Sequence, residues 1–307
     1  MLIVQNIRLS RILRNTWQVD IIMIFSCTVA YLVREFLIKH HFDIPTIVPS
    51  VLGTAIAFFV GFNNNQAYDR WWEGRKIWGA LVNDSRSWSR SVITYISQGK
   101  MEEAEFTVIK NRMVYRHIAF LYALKANLRS TIDEIYTQYL MQYLDENELA
   151  EVNKHTNVPN AILTLQARSL EELSQKGMID GFRFIEMNSL LVKFSDEMGM
   201  AERIKNTVFP TTYNYLTKVF IWLFVVCLTL VMSQYAGVWS IFLGWMVGFV
   251  YVSTQINGMT LINPFDNNSA SVPLNQITRT IEINLLQMIG AAEIPSPIKP
   301  INDEYIL

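Results

Sequence analysis

Thr54, Phe58 and Phe62 stand four residues apart, so on a helix they share one stripe. Asn65, Gln66 and Asp69 lie near its continuation, at three, four and seven residues past Phe62. A stripe that runs from a hydroxyl through two phenyl rings to amides and a carboxylate suits a helix lining a narrow path that widens into water. Several copies around an axis would give an apolar neck with a polar mouth, and apolar constrictions can gate ions by dewetting. The same spacing also suits a helix that packs its rings against neighbouring spans, and the residues alone leave both readings open.

Bond-making chemistry finds no such constellation. The chain has no P-loop, no G-x-G-x-x-G after a strand, no H-E-x-x-H and no G-x-S-x-G. The acid pairs Glu102-Glu103, Asp133-Glu134 and Glu171-Glu172 sit in amphipathic helical patterns, where solvated faces carry such pairs. The four histidines (His40, His41, His117, His155) lack metal-ligand spacing. Cys27 and Cys227 lie inside apolar runs and read as reduced thiols. No catalytic residue, metal or cofactor is expected, and the chain does not read as an enzyme.

The elements that must position the stripe follow from where charge is missing. The 307 residues are 51% hydrophobic and 17% charged, which excludes intrinsic disorder. A formal net charge of −1 excludes a nucleic-acid binder working by bulk charge. Residues 44–68 and 219–265 contain no Asp, Glu, Lys or Arg, whereas residues 69–218 hold 19 basic and 19 acidic side chains. An uncharged run of 47 residues suits a bilayer, at about 20 residues per span. Spans are expected at about 19–38, 45–65, 213–232 and 238–257, with Pro49 able to kink the second. The first is the weakest, and a three-span count would leave it on the membrane surface.

Residues 1–19 carry Arg8, Arg11 and Arg14 at intervals of three and no acid, as an amphipathic helix at the inner leaflet would. Between the second and third spans the apolar residues recur at three and four, so helices are expected throughout. Asp145 or Asn147 is a candidate helix start. Asn157 before Pro159 opens another helix, which Gly177 closes, and a further one runs from about Ile179 to Lys205. A last helix is expected at 274–289 before an extended proline-rich tail. The basic N-terminus marks the inside, so four spans put both termini and the charged block in the cytoplasm of a multi-pass protein of the cell inner (plasma) membrane. The fold class is thus an all-α membrane protein with four transmembrane helices and a large cytosolic helical bundle. It divides into residues 1–68, 69–212, 213–257 and 258–307.

The run GFNNNQAYDRWWEGRKIWGALVNDSRSW at 61–88 resembles the bestrophin family, in particular its bacterial branch. AERIKNTVFPTTYNY at 201–215 and LINPF at 261–265 agree in order, so the resemblance covers nearly the whole chain. It implies a homopentamer around one continuous ion pore, with the lipid bilayer and monovalent ions as partners and no nucleic acid. Thr54, Phe58 and Phe62 would match the three rings of the family's neck. The first is commonly aliphatic there, so Thr54 departs from the pattern and should make its ring wetter. A second, cytosolic constriction would fall near Ile179 or Phe182. Animal bestrophins clasp Ca²⁺ with acids after the NPF turn. Here Asp266-Asn267-Asn268-Ser269-Ala270-Ser271 offers one carboxylate, too few for a tight all-oxygen site.

The leading expectation is a passive channel for monovalent ions. Phenyl edges turned inward would favour anions and faces would favour cations. The animal family conducts chloride and some bacterial relatives conduct cations, so chloride comes first and sodium second. Asp69 reads either as a scaffold partner of Arg70 or as a carboxylate concentrating cations at the mouth. The alternative from another class is a membrane-anchored signalling or scaffold protein whose helical block binds a partner.

Overall fold

The computed structural model describes residues 9–38, 44–99, 101–130, 134–208, 211–301 and 305. Arg8, the turn expected at 39–43 and Pro210 lie outside the described residues. The helices in chain order are α1 Leu9–Val33, continued by a π-helical turn Arg34–Ile38, α2 Ile47–Tyr95, α3 Glu103–Arg129, α4 Glu134–Tyr143 and α5 Glu146–Val152. There follow α6 Val158–Gln175, α7 Gly181–Asn206, α8 Thr211–Ala236, α9 Trp239–Met259 and α10 Leu274–Met288. Among the described residues the one extended pairing is an isolated bridge between Ile301 and Tyr305. Among the described residues four helices are long and apolar enough to cross a membrane: Thr16–Leu37, Ile47–Tyr95, Thr212–Ala236 and Trp239–Met259. The expected all-α architecture with four spans is therefore present.

The second span and the charged segment after it form one helix of 49 residues, about 74 Å long at 1.5 Å per residue. Pro49 does not kink it. The proline is the third helical residue, and the first four N–H groups of a helix have no partner inside it, so no hydrogen bond is lost there.

The chain forms two compact units. One comprises residues 4–71 and 208–262. Its core joins Met23 and Cys27 of α1, Ile56 and Val60 of α2, Ile221, Phe224 and Val225 of α8, and Val252 of α9. Gly244 and Gly248 let α9 approach closely. A Cβ on the first would overlap the Thr229 hydroxyl of α8, and one on the second the Met23 sulfur of α1. This is the close backbone approach that a small-xxx-small pair permits. A Cβ on Gly61 of α2 would meet nothing within 4 Å in the protomer.

The other unit comprises residues 1–3, 72–207 and 263–307. Its middle is α3, whose residues from Met113 to Leu124 are almost all buried. Trp78 and Trp88 of α2 are fully buried in this unit. Local signals placed its helix ends. Asp145 and Glu148 form a reciprocal capping box at the start of α5. Asn157 caps α6, and Asp180 caps α7 through the Arg183 N–H. Two buried acids gather several donors each. Glu148 accepts from Arg116 and Arg112, and Glu282 accepts from the hydroxyls of Tyr122 and Tyr143. His117 is a core residue. Burial lowers its pKa to about 3, its Nε2 lies 2.8 Å from the Ser85 hydroxyl, and its ring packs 4.4 Å from that of Phe194.

Glu197 of α7 is a buried acid of another kind. Burial raises its pKa from the ordinary 4.5 to about 8, and a hydrogen bond with Asp84 of α2 adds to the rise. Asp196 pushes the same way, while Lys193, which pairs with Asp84 at 3.4 Å, opposes it. A raised folded-state pKa means that the folded chain holds a proton the unfolded chain has released. Stability attributable to this group should fall as pH rises from 4.5 to about 8, with no further loss above. Glu197→Gln keeps a neutral hydrogen-bonding side chain, so it should flatten that slope and raise the unfolding temperature near pH 8 by roughly 2–4 °C. Thermal unfolding of the detergent-solubilised protein across this window is the check. Parallel curves for the two proteins would refute it.

Candidate functional site

Helix α2 has two faces between Gly53 and Asp69. Gly53, Ile56, Val60, Asn63 and Ala67 are buried, at the intervals of three and four that one helical face requires. Thr54, Ala57, Phe58, Gly61, Phe62, Asn65, Gln66 and Asp69 are exposed. The aromatic stripe is thus on the face that the protomer itself leaves uncovered. Phe58 is 71% exposed and Phe62 48%. Phe62 leans on Tyr213 of α8, ring edge to ring face at 6.4 Å, whereas Phe58 touches the rings of Phe59 and Phe62 on its own helix. The reading in which both rings pack against neighbouring spans holds only for this one edge of Phe62. Phe58 and Phe62 stack at 6.5 Å with 17° between their planes, so they present nearly the same aspect.

Thr54 donates its hydroxyl proton to the Ser50 carbonyl one turn back, at 3.0 Å. What the side chain leaves free is a methyl group and oxygen lone pairs. The Asn65 amide donates to the Asp69 carboxylate at 3.3 Å, which brings two of the predicted mouth residues together. Gln66 is exposed beside them. Glu73 pairs with Arg203 of α7 at 2.7 Å.

Two residues that hold the stripe in register escape a reading of the stripe itself. The Asn63 amide donates to the Thr217 hydroxyl of α8 at 3.2 Å, and the Asn64 amide donates to the Thr254 carbonyl of α9 at 3.2 Å. Three consecutive asparagines therefore do three things: one fastens α2 to α8, one fastens it to α9, and one faces outward. The available signal was the run itself, since successive helical residues lie about 100° apart and cannot share a face. Gly258 completes the second fastening, because a Cβ there would overlap the Asn64 side chain.

In the other unit the two candidate constriction residues separate. Ile179, just before the Asp180 cap, is 3% exposed and belongs to the core of the protomer. Phe182, in the first turn of α7, is 89% exposed. Nearby, Arg183 donates to the Tyr95 carbonyl at 3.1 Å and the Tyr95 hydroxyl donates to Glu186 at 3.0 Å. The segment after α9 is held from within: the Arg129 guanidinium donates to the Phe265 carbonyl at 3.3 Å and to Asn275 at 2.9 Å. Asn268 accepts from the backbone N–H groups of Ala270 and Ser271. Among the described residues no three His, Cys, Asp or Glu side chains gather as metal ligands would.

Residues 2–287 match the family described as Bacterial/Fungal Bestrophin protein. The chain is 31% identical over 256 residues to the voltage-dependent anion channel-forming protein YneE of Escherichia coli (strain K12), covering 83% of this chain and 81% of that one. It is 31% identical over 252 residues to the YneE protein of Salmonella typhi, covering 82% and 79%. Among solved structures it is similar to a point mutant of a bacterial Bestrophin homolog from Klebsiella pneumoniae, with a TM-score of 0.80, 25% identity, and coverage of 88% of this chain and 97% of that one.

The fit of Asn64 against Gly258 gives a direct test of what holds the second helix. Gly258→Ala should displace the Asn64 amide and cost about 1–3 kcal/mol, the range for overpacking a filled site. Thermal unfolding should show the loss. An unchanged midpoint would mean that this contact does not anchor α2.

Proposed function

The chain belongs to the bacterial and fungal bestrophin family, and from that premise we propose that it is a membrane channel that passes monovalent ions passively, with chloride and other anions favoured over sodium. The observation that carries this reading is the uncovered stripe of α2. A single protomer buries one face of that helix in its own core and leaves Phe58 and Phe62 exposed on the other. Five copies, the number the family resemblance implies, would turn these rings toward a common axis. Thr54, Phe58 and Phe62 then form the neck, and Asn65, Gln66 and Asp69 its mouth.

The physics of such a neck is that of an apolar constriction. Water leaves it readily, and an ion crosses only when the rings part enough to keep it hydrated. Because the two rings of one protomer are nearly parallel, an edge-inward arrangement at one level repeats at the other, and the positive ring edges then favour anions twice. The Thr54 ring offers oxygen lone pairs to water while its protons stay directed at the backbone. The exposure of Phe182 supports it, rather than Ile179, as the residue of a second constriction. The four apolar helices support a multi-pass arrangement, and the arginines near the N-terminus support cytoplasmic termini.

Removing both rings should wet the neck. A barrier lowered by about 1.4 kcal/mol raises a rate tenfold. The Phe58→Ala, Phe62→Ala double variant should therefore raise single-channel or liposome flux by roughly that factor while the oligomer persists on size-exclusion chromatography. Unchanged flux in an intact oligomer would remove the neck assignment.

Calcium should not open this channel through the segment after α9. The segment carries one carboxylate, Asp266, and Arg129 already places a positive charge beside it. In planar bilayers, micromolar Ca²⁺ should leave the open probability unchanged. A steep response abolished by Asp266→Ala would overturn this.

A further inference from the structure

We propose that Asp69 is a charge-selectivity determinant, a carboxylate held at the end of the aromatic stripe that sets how strongly the conduit prefers anions over cations. This rests on the reading of Phe58 and Phe62 as pore-lining and goes beyond it, since the rings alone do not fix the ratio.

Four observations converge on Asp69. First, its position. At 100° per residue it lies about 20° around the helix from both Phe58 and Phe62, and about 10 Å along the axis past Phe62. Whatever direction the rings face, Asp69 faces it too. Second, its isolation. Residues 44–68 carry no Asp, Glu, Lys or Arg, so Asp69 is the first of these after the neck. A charge at the end of a low-dielectric passage acts further than one in open water, because the walls focus its field. Third, its partner. The Asn65 amide donates to it at 3.3 Å, and among the described residues no ion pair to it is found. An amide orients a carboxylate without neutralising it. Fourth, its exposure. The side chain is open to its surroundings rather than folded into the core. The following residue, Arg70, is rotated about 100° from Asp69 around the helix and is half-buried.

The effect has a definite sign. Several carboxylates around one axis attract cations and repel anions at the mouth. In a conduit whose phenyl edges favour anions, the ring of Asp69 opposes that preference and makes the channel less selective than its neck.

Reversal potentials under a NaCl gradient test this in planar bilayers at about 0.1 M and about 1 M salt, where charges act over roughly 10 Å and 3 Å. Asp69→Asn should raise the chloride-to-sodium permeability ratio about threefold at the lower salt, and the difference should shrink toward nothing at the higher salt. Asp69→Glu keeps the charge and should stay near wild type, and Asp69→Ser should follow Asp69→Asn if the amide variant fails to assemble. A merely structural aspartate would give no such salt dependence and no such split between the neutral and acidic variants. An unchanged ratio at low salt in intact oligomers, with the Phe58→Ala, Phe62→Ala variant still altering flux, would sink the role of Asp69 alone. Failure of both would sink the pore reading as well.

Discussion

A single unbroken helix fixes the angular position of everything that matters in this protein. Over the 49 residues of α2 each side chain is rotated about 100° from the last, so no residue can move to the other face without breaking the helix. The chain uses one face for cohesion and leaves the other free. Ile56 and Val60 enter the apolar cluster with Met23, Cys27, Phe224 and Val252, and this decides that Phe58 and Phe62 cannot. The exposure of the rings is a consequence of burying their neighbours.

The helix stays in that rotation because polar contacts are placed where they are costly to break. Within a membrane an amide that loses its partner finds no water to replace it. Asn63 and Asn64 each reach a different neighbouring helix, and together they resist rotation of α2 in either direction. Glycines do the complementary work on α9, where Gly244, Gly248 and Gly258 leave room for Thr229, Met23 and Asn64. Small residues on one helix and specific polar groups on another thus define a register that generic apolar packing would leave loose.

Much of this was legible in the sequence, and the losses have physical causes. The charge gaps at 44–68 and 219–265 announced their spans, because hydrocarbon excludes ions whatever the fold. Helix starts at Asp145 and Asn157 followed from local capping, which needs no tertiary information. The stripe of Thr54, Phe58 and Phe62 followed from period alone. Other features depended on neighbours that periodicity does not see. Ile179 lies two residues before α7, where backbone direction rather than helical phase decides whether a side chain turns inward, and it turned into the core. Glu73 pairs with Arg203 of α7, an element distant in sequence that lies beside it. Asn63 and Asn64 read only as part of a polar run, because which helix each would meet was not encoded locally. Pro49 looked like a kink and is not one, because its meaning depends on where the helix begins.

The composition of the uncovered face bears on what covers it. A helix face turned to lipid tails has no use for amides and a carboxylate in line with its phenyl rings, and an ion at hydrocarbon depth is costly. A face packed against another protein would be expected to match each polar group with a partner. The stripe on α2 does neither within its protomer. It passes from a hydroxyl to two stacked rings, then to Asn65, Gln66 and Asp69, a steady change from apolar to hydrated over about 22 Å. Such a gradient matches an aqueous path that narrows, where each level meets a different amount of water. It also separates two tasks along one helix. On the proposed reading, the rings would control whether water and ions pass at all, through the cost of hydrating an apolar gap. The charged group beyond them would bias which sign of ion waits at the entrance, through a field that salt can screen. Because the two proposed effects arise from different residues and respond to different variables, permeation and selectivity could change independently, although both would be written on the same face of the same helix.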